Sequence, residues 1–99
     1  MRYRSIGKTD LRLSEIAFGC GGNAGLMIRG SEREQIAAVA RAIELGINYF
    51  DNSPDYGGGA AEENLGRALK ALRVRPLPTL GKPGVERLSK TTVSTKMRT

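Results

Sequence analysis

Residues 47–59 read I-N-Y-F-D-N-S-P-D-Y-G-G-G, and the reading of this stretch decides the fold. A short apolar run ends in a carboxylate at Asp51. Five positions on, Tyr56 stands in a segment that Pro54 and three consecutive glycines, Gly57 to Gly59, keep out of regular structure. A carboxylate at a strand end and a phenol in the following loop can converge in one cleft. A phenol has a pKa of about 10, so it serves as a general acid near neutral pH only when a nearby cation pulls that value down. The segment T-V-S-T-K, residues 92–96, offers such a cation in Lys96 after a second β-like run, and the chain contains no histidine.

Working outward, strand-like and helix-like patterns alternate. Residues 2–5 and 11–14 alternate as a short hairpin around Gly7-Lys8-Thr9-Asp10. Ser14 to Phe18 reads as a buried strand ending at Gly19. Ser31 is an N-cap, and Glu34 three residues later completes a capping box. Ile36, Val39, Ala40 and Ile43 then form one apolar helix face, which Gly46 terminates. Ile47 to Phe50 is the second strand. A second helix over Ala61 to Leu72 carries Leu65, Ala68, Leu69 and Leu72 at i, i+3, i+4, i+7 spacing. This βαβα order implies parallel βα units, whose strand C-termini are where such folds build sites. Asp51 and Lys96 both fall at strand ends of that kind.

Gly19-Cys20-Gly21-Gly22-Asn23-Ala24 follows a strand and matches G-x-G-x-x-A, the form of a dinucleotide-binding fingerprint. That fingerprint needs its helix to begin at the glycines. Here Leu26-Met27-Ile28-Arg29-Gly30 intervenes before the helix signal at Ser31. The plainer reading is a flexible glycine-rich connection.

The apolar fraction is 39%, and no run approaches the roughly 18 apolar residues of a membrane span. M-R-Y-R-S at the start has no apolar stretch behind its charges, so no secretory signal is expected. Cys20 is the single cysteine, which leaves no internal disulfide and no zinc-type ligand set. A cytoplasmic setting is the expectation. The net charge of +6 is uneven: residues 1–72 carry nine basic and nine acidic side chains, residues 73–99 seven and one. That basic tail has no aromatic residue for base stacking, so a solvated linker is expected and nucleic acid is not.

Several of these segments resemble, in order, the motifs of the aldo-keto reductase family. M-R-Y-R-S-I-G-K-T-D-L-R-L-S-E-I-A-F-G-C-G resembles its opening hairpin and first strand. G-I-N-Y-F-D-N-S-P-D-Y-G-G-G-A-A-E-E-N-L-G-R-A-L resembles its most diagnostic signature, and V-S-T-K the strand that carries its lysine. The resemblance implies an α/β fold, the N-terminal portion of a (β/α)8 TIM barrel of about three βα units preceded by a β-hairpin. A barrel of this kind takes roughly 250 residues. At 99 residues the chain is expected to be one partial barrel domain, 1–99.

The family passes hydride from a nicotinamide, usually NADPH, to an aldehyde or ketone, and a tyrosine protonates the oxygen. The resemblance assigns that tyrosine to Tyr56, the lysine that stabilises its phenolate to Lys96, and the carboxylate that orients the lysine to Asp51. Asp51 is also expected at the cofactor, together with Gly19, Cys20 and Gly21 in the loop after the first strand. A small carbonyl compound is the implied substrate. Taken one at a time, a loop tyrosine, a turn aspartate and a terminal lysine are ordinary surface residues.

The chain departs from the family pattern in places. The 19 residues Arg73 to Thr91, with Pro76, Pro78, Gly81, Pro83 and Gly84, read as an irregular insertion where a helix-to-strand connection usually takes about 2–6 residues. Asn52-Ser53 replaces the usual Thr-Ala. Ala61 stands where the family often has a serine, removing an expected cap of the second helix worth about 1 kcal/mol. With the family's catalytic histidine absent, the 99 residues alone are expected to be an inactive piece of an oxidoreductase that binds NADPH weakly or not at all. The alternative is a non-catalytic remnant or partner-binding fragment.

Overall fold

A computed structural model of the chain describes residues 1–5, 7–8, 12–22, 25–74 and, as backbone, 92–95. Its elements run β1 (Tyr3–Ser5), β2 (Arg12–Ser14), β3 (Phe18–Gly19), α1 (Leu26–Arg29), α2 (Glu32–Glu44), β4 (Tyr49–Asn52), a 3₁₀ turn (Tyr56–Gly59), α3 (Ala60–Ala71) and β5 (Thr92–Thr95). β1 and β2 form an antiparallel hairpin, with Tyr3 opposite Ser14 and Ser5 opposite Arg12. β3, β4 and β5 form a parallel sheet in that order. Phe18 pairs with Phe50 and Gly19 with Asp51; across the other edge of β4, Asp51 pairs with Ser94 and Asn52 with Thr95.

The expected hairpin and parallel βα units are present, with shifted bounds. Ser14 ends β2 instead of opening β3. Its backbone N–H donates to Asn48 Oδ1 at 2.7 Å, and its hydroxyl donates to Ile16 O at 2.6 Å, so the chain turns before the parallel strand begins. β4 starts at Tyr49, two residues later than the apolar run suggests. The reason is Asn48, whose amide donates to Arg12 O at 2.8 Å and ties the approach to the hairpin.

Strand alternation sorts the two faces of the sheet. Phe50 and Asn52 of β4 are buried, whereas Tyr49 and Asp51 on the opposite face are half-buried. Phe50 is fully buried among Val39 and Ala42 of α2, Leu65, Ala68 and Leu69 of α3, and Met27 of α1. Its ring also meets Phe18 at 5.3 Å between centroids. Burying a side chain of that size stabilises the fold by about 1.5–3 kcal/mol.

The capping box of α2 is complete. Glu34 N–H donates to Ser31 Oγ at 3.1 Å, and Ser31 N–H donates to Glu34 Oε1 at 3.2 Å. α2 ends as expected at Gly46, which takes φ +94° while Gly46 N–H and Ile47 N–H close onto Ile43 O and Ala42 O. α3 ends with the same pair of bonds, from Arg73 N–H to Lys70 O and from Val74 N–H to Leu69 O. There a non-glycine, Arg73, occupies the left-handed position at φ +58°.

The missing cap expected at Ala61 is corrected. α3 begins one residue earlier, with Gly59 at its N-cap, so Ala61 lies inside the first turn and is fully buried. A serine there would not occupy the capping position. The expected insertion at 73–91 falls, beyond Arg73 and Val74, outside the described residues.

Candidate active site

β3 and β4 present their C-terminal ends side by side, and the loops that follow them supply the rest of the site. The Cys20 N–H donates to Asp51 O at 3.0 Å, extending the parallel ladder one residue past the end of β3. Asp51 therefore sits level with the Gly19–Gly21 segment. Because β4 alternates, its side chain leaves the sheet on the face opposite the buried Phe50. Among the described residues no Lys or Arg forms an ion pair with Asp51.

The connection from β4 to Tyr56 is held by short-range bonds. Ser53 N–H donates to Asn52 Oδ1 at 2.8 Å, Asp55 N–H to Ser53 Oγ at 3.3 Å and Tyr56 N–H to Ser53 O at 3.2 Å. Asn52, 1% exposed, also donates through Nδ2 to Ala61 O at 3.3 Å, which ties the strand end to α3. Gly57 and Gly58 then take φ of +62° and +66°, which turns the chain directly after the tyrosine.

The two loops meet at Tyr56. Its half-buried ring lies against Gly21, where a Cβ would stand only 2.6–2.8 Å from Cδ2, Cε2 and Cγ. The structure thus brings Asp51, Tyr56, Gly19, Cys20 and Gly21 to one end of the sheet. Lys96 lies outside the described residues. The last described residue before it, Thr95, pairs with Asn52, the neighbour of Asp51.

Cys20 points the other way. It is 1% exposed within the core, and burial first, with the negative charge of Asp51 second, pushes its thiol up to about 12. Any contact it makes at the site is through its backbone. Gly19 is exposed, and a Cβ there would meet nothing within 4 Å, so the strand end presents open backbone beside Asp51. Among the described residues, no group of three or more His, Cys, Asp and Glu is placed to hold a metal. No described helix is long and apolar enough to cross a membrane.

Two features escape the sequence pattern. The stretch Leu26–Arg29, expected as a connection, is a one-turn helix with Met27 buried in the core. Its Ile28 lies against Gly57, 2.8 Å from where a Cβ would stand. Four residues carry too little periodicity to mark a helix, although the apolar triplet Leu26-Met27-Ile28 does signal burial.

Comparison with known proteins supplies the family and the fold. The model of the aldo/keto reductase family matches residues 15–99. The chain is 42% identical over 74 residues to L-galactose dehydrogenase of Arabidopsis thaliana, covering 75% of this chain and 23% of that protein. It is 40% identical over 72 residues to L-glyceraldehyde 3-phosphate reductase of Escherichia coli, covering 71% and 20%. Among solved structures, a holo-form aldo-keto reductase from Bacillus halodurans superposes with a TM-score of 0.61 at 33% identity, covering 85% of this chain and 29% of that one. A thermostable aldo-keto reductase in complex with the inhibitor epalrestat superposes at 0.66 with 23% identity, covering 96% and 30%, which bears on the fold alone. The chain therefore spans under a quarter of these two curated relatives, and its βα units are part of a (β/α)8 barrel.

Proposed function

The chain belongs to the aldo/keto reductase family, and from that premise we propose that it is part of an oxidoreductase that reduces an aldehyde or ketone to an alcohol with NADPH. The observation that carries this reading is the contact of the Tyr56 ring with Gly21 beside the strand end that holds Asp51.

A bound nicotinamide supplies the hydride that reaches the carbonyl carbon. The Tyr56 hydroxyl gives its proton to the carbonyl oxygen, which becomes the alcohol. The phenolate left behind needs a cation to make that transfer possible near neutral pH. In this reading Lys96 is the cation, and the carboxylate of Asp51 orients its ammonium group. Gly19 and Gly21, lacking side chains, leave room for the cofactor ring and for the phenol. A small carbonyl compound is the partner this chemistry requires, and a cytoplasmic setting suits a chain whose lone cysteine is buried and unpaired.

The test is carbonyl-dependent oxidation of NADPH by a complete barrel carrying residues 1–99, compared with its Tyr56→Phe variant. Loss of turnover with cofactor binding retained supports the reading, while full turnover in Tyr56→Phe overturns it. The 99 residues alone are expected to show neither tight NADPH binding nor turnover. A cofactor-fluorescence titration giving micromolar affinity would contradict that.

A second reading, a non-catalytic chain that acts by binding, is favoured by one observation. Among the described strands the parallel sheet ends on β3 at one side and β5 at the other, so both outer edges lack a described partner strand.

A further inference from the structure

A four-residue helix cannot hold its own shape or place, because nucleating a turn costs more than so few backbone bonds return. The position of α1 must therefore come from its neighbours, and two side-chain amides supply it. Gln35 of α2, only 2% exposed, donates through Nε2 to Leu26 O and to Gly30 O, both at 3.0 Å. Asn64 of α3 donates through Nδ2 to Met27 O at 2.8 Å. Together they bind carbonyls at the start, the middle and the end of the turn. Met27, 1% exposed, seats the apolar side of α1 in the core and fixes its rotation.

With that rotation fixed, Ile28 comes against the backbone of Gly57. A Cβ at Gly57 would stand 2.8 Å from Ile28 Cγ2 and 3.0 Å from Cγ1. Gly57 directly follows Tyr56, whose ring rests on Gly21 in the same β3-to-α1 connection. The phenol loop thus meets Gly21 on one side and Ile28 on the other, and the second contact is located by Gln35 and Asn64 through α1.

We propose that Gln35 and Asn64 are positioning residues for Tyr56: by pinning α1 they hold Ile28 against Gly57 and so set the place of the phenol over Gly21. The functional weight of this inference rests on Tyr56 being the proton donor proposed above. A displacement of about 1 Å in a catalytic group can cost on the order of 10²-fold in rate, so a device that fixes the ring without touching substrate matters to the chemistry.

The test reads the ring itself. Asn64→Leu and Gln35→Met keep side-chain size and remove the donors. In the full 99-residue chain with isotope-labelled tyrosine, NMR follows Tyr56 separately from Tyr3 and Tyr49. Loss of the Tyr56–Gly21 cross-peak and a shifted Tyr56 ring resonance are expected, with the Tyr49 resonance and the Phe18–Phe50 cross-peak retained. Unchanged Tyr56 signals in these variants overturn the proposal. Ile28→Ala removes the last contact of the path without disturbing a buried amide, so it keeps the test decisive if an amide variant fails to fold; unchanged Tyr56 signals there overturn it equally. Since these readouts report position and not turnover, the proposal and the catalytic reading of Tyr56 fail independently.

Discussion

The ring of Tyr56 packs against Gly21, so close that a Cβ on Gly21 would stand 2.6 Å from Cδ2 and 2.7 Å from Cε2. Carbon atoms in van der Waals contact sit at about 3.5–4.0 Å. A side chain at Gly21 would therefore displace the ring, and the obstacle is a packed side chain set by the loop that carries it.

Gly21→Ala should therefore move the Tyr56 ring while leaving the core intact. A crystal structure or the ring's NMR cross-peaks would show the displacement. In a catalytically complete barrel the same change should lower kcat by about tenfold or more, given the sensitivity of catalysis to the placement of a reacting group. An alanine variant with an unmoved ring would show that the contact is not tight.

Cys20 should be nearly inert to alkylation in the folded chain. Its thiol is buried and ionises near 12 instead of 9.0, so at pH 8.5 the reactive thiolate is about a thousandfold scarcer than in the unfolded chain. The linkage has a definite sign. A folded-state value above the unfolded one gives stability that is present below about pH 9 and lost as pH rises towards 12. Cys20→Ala should flatten that alkaline decline, and iodoacetamide kinetics with and without denaturant check the reactivity. Equal rates in the two states would refute the prediction.

Arg73 holds the left-handed C-terminal position of α3 at φ +58°, where Gly46 serves α2 at φ +94°. A side chain in that conformation costs about 1–2 kcal/mol, part of which glycine returns through its greater freedom when unfolded. Arg73→Gly should stabilise the chain by roughly 0.5–1 kcal/mol, seen as a rise of a few degrees in Tm. Thermal melts by circular dichroism decide it, and a lower Tm would mean that the arginine side chain makes a compensating contact.

Ser31 and Glu34 close the N-terminus of α2 by exchanging bonds. Ser31→Ala should cost about 1 kcal/mol near neutral pH. The Ser31 backbone N–H, and after it the hydroxyl, hold the Glu34 carboxyl below its ordinary value of 4.5. With the folded value depressed, the contribution is present above about pH 4.5 and is lost as pH falls through the folded value. Since Ser31→Ala keeps the backbone N–H, the pH dependence is read from Glu34→Gln: the stability gap between the native chain and that variant should shrink in acid. Denaturant melts at neutral and acid pH measure the gap, and a pH-independent one would exclude the charged cap.

The sequence by itself determined the parts of this molecule whose cause is local. Periodicity placed α2 and α3, and Ser31 with Glu34 marked where α2 begins. Gly46 marked where α2 ends, and the apolar run before Asp51 set that carboxylate at the end of a strand. Motif order carried the family and, with it, the expectations for Asp51, Tyr56 and Lys96. Tertiary structure alone decided what depends on residues distant in sequence. Asn48 reaches the hairpin across 34 positions and delays β4, and Asn64 reaches Met27 across 37 to hold a helix too short to signal itself. The buried state of Gln35 belongs here as well, since a lone amide on an apolar face reads as a surface residue until the carbonyls that satisfy it are in place. The meeting of Tyr56 with Gly21 is of the same kind. Local propensity can say that a glycine is permitted, but only the packed fold says which ring lies against it.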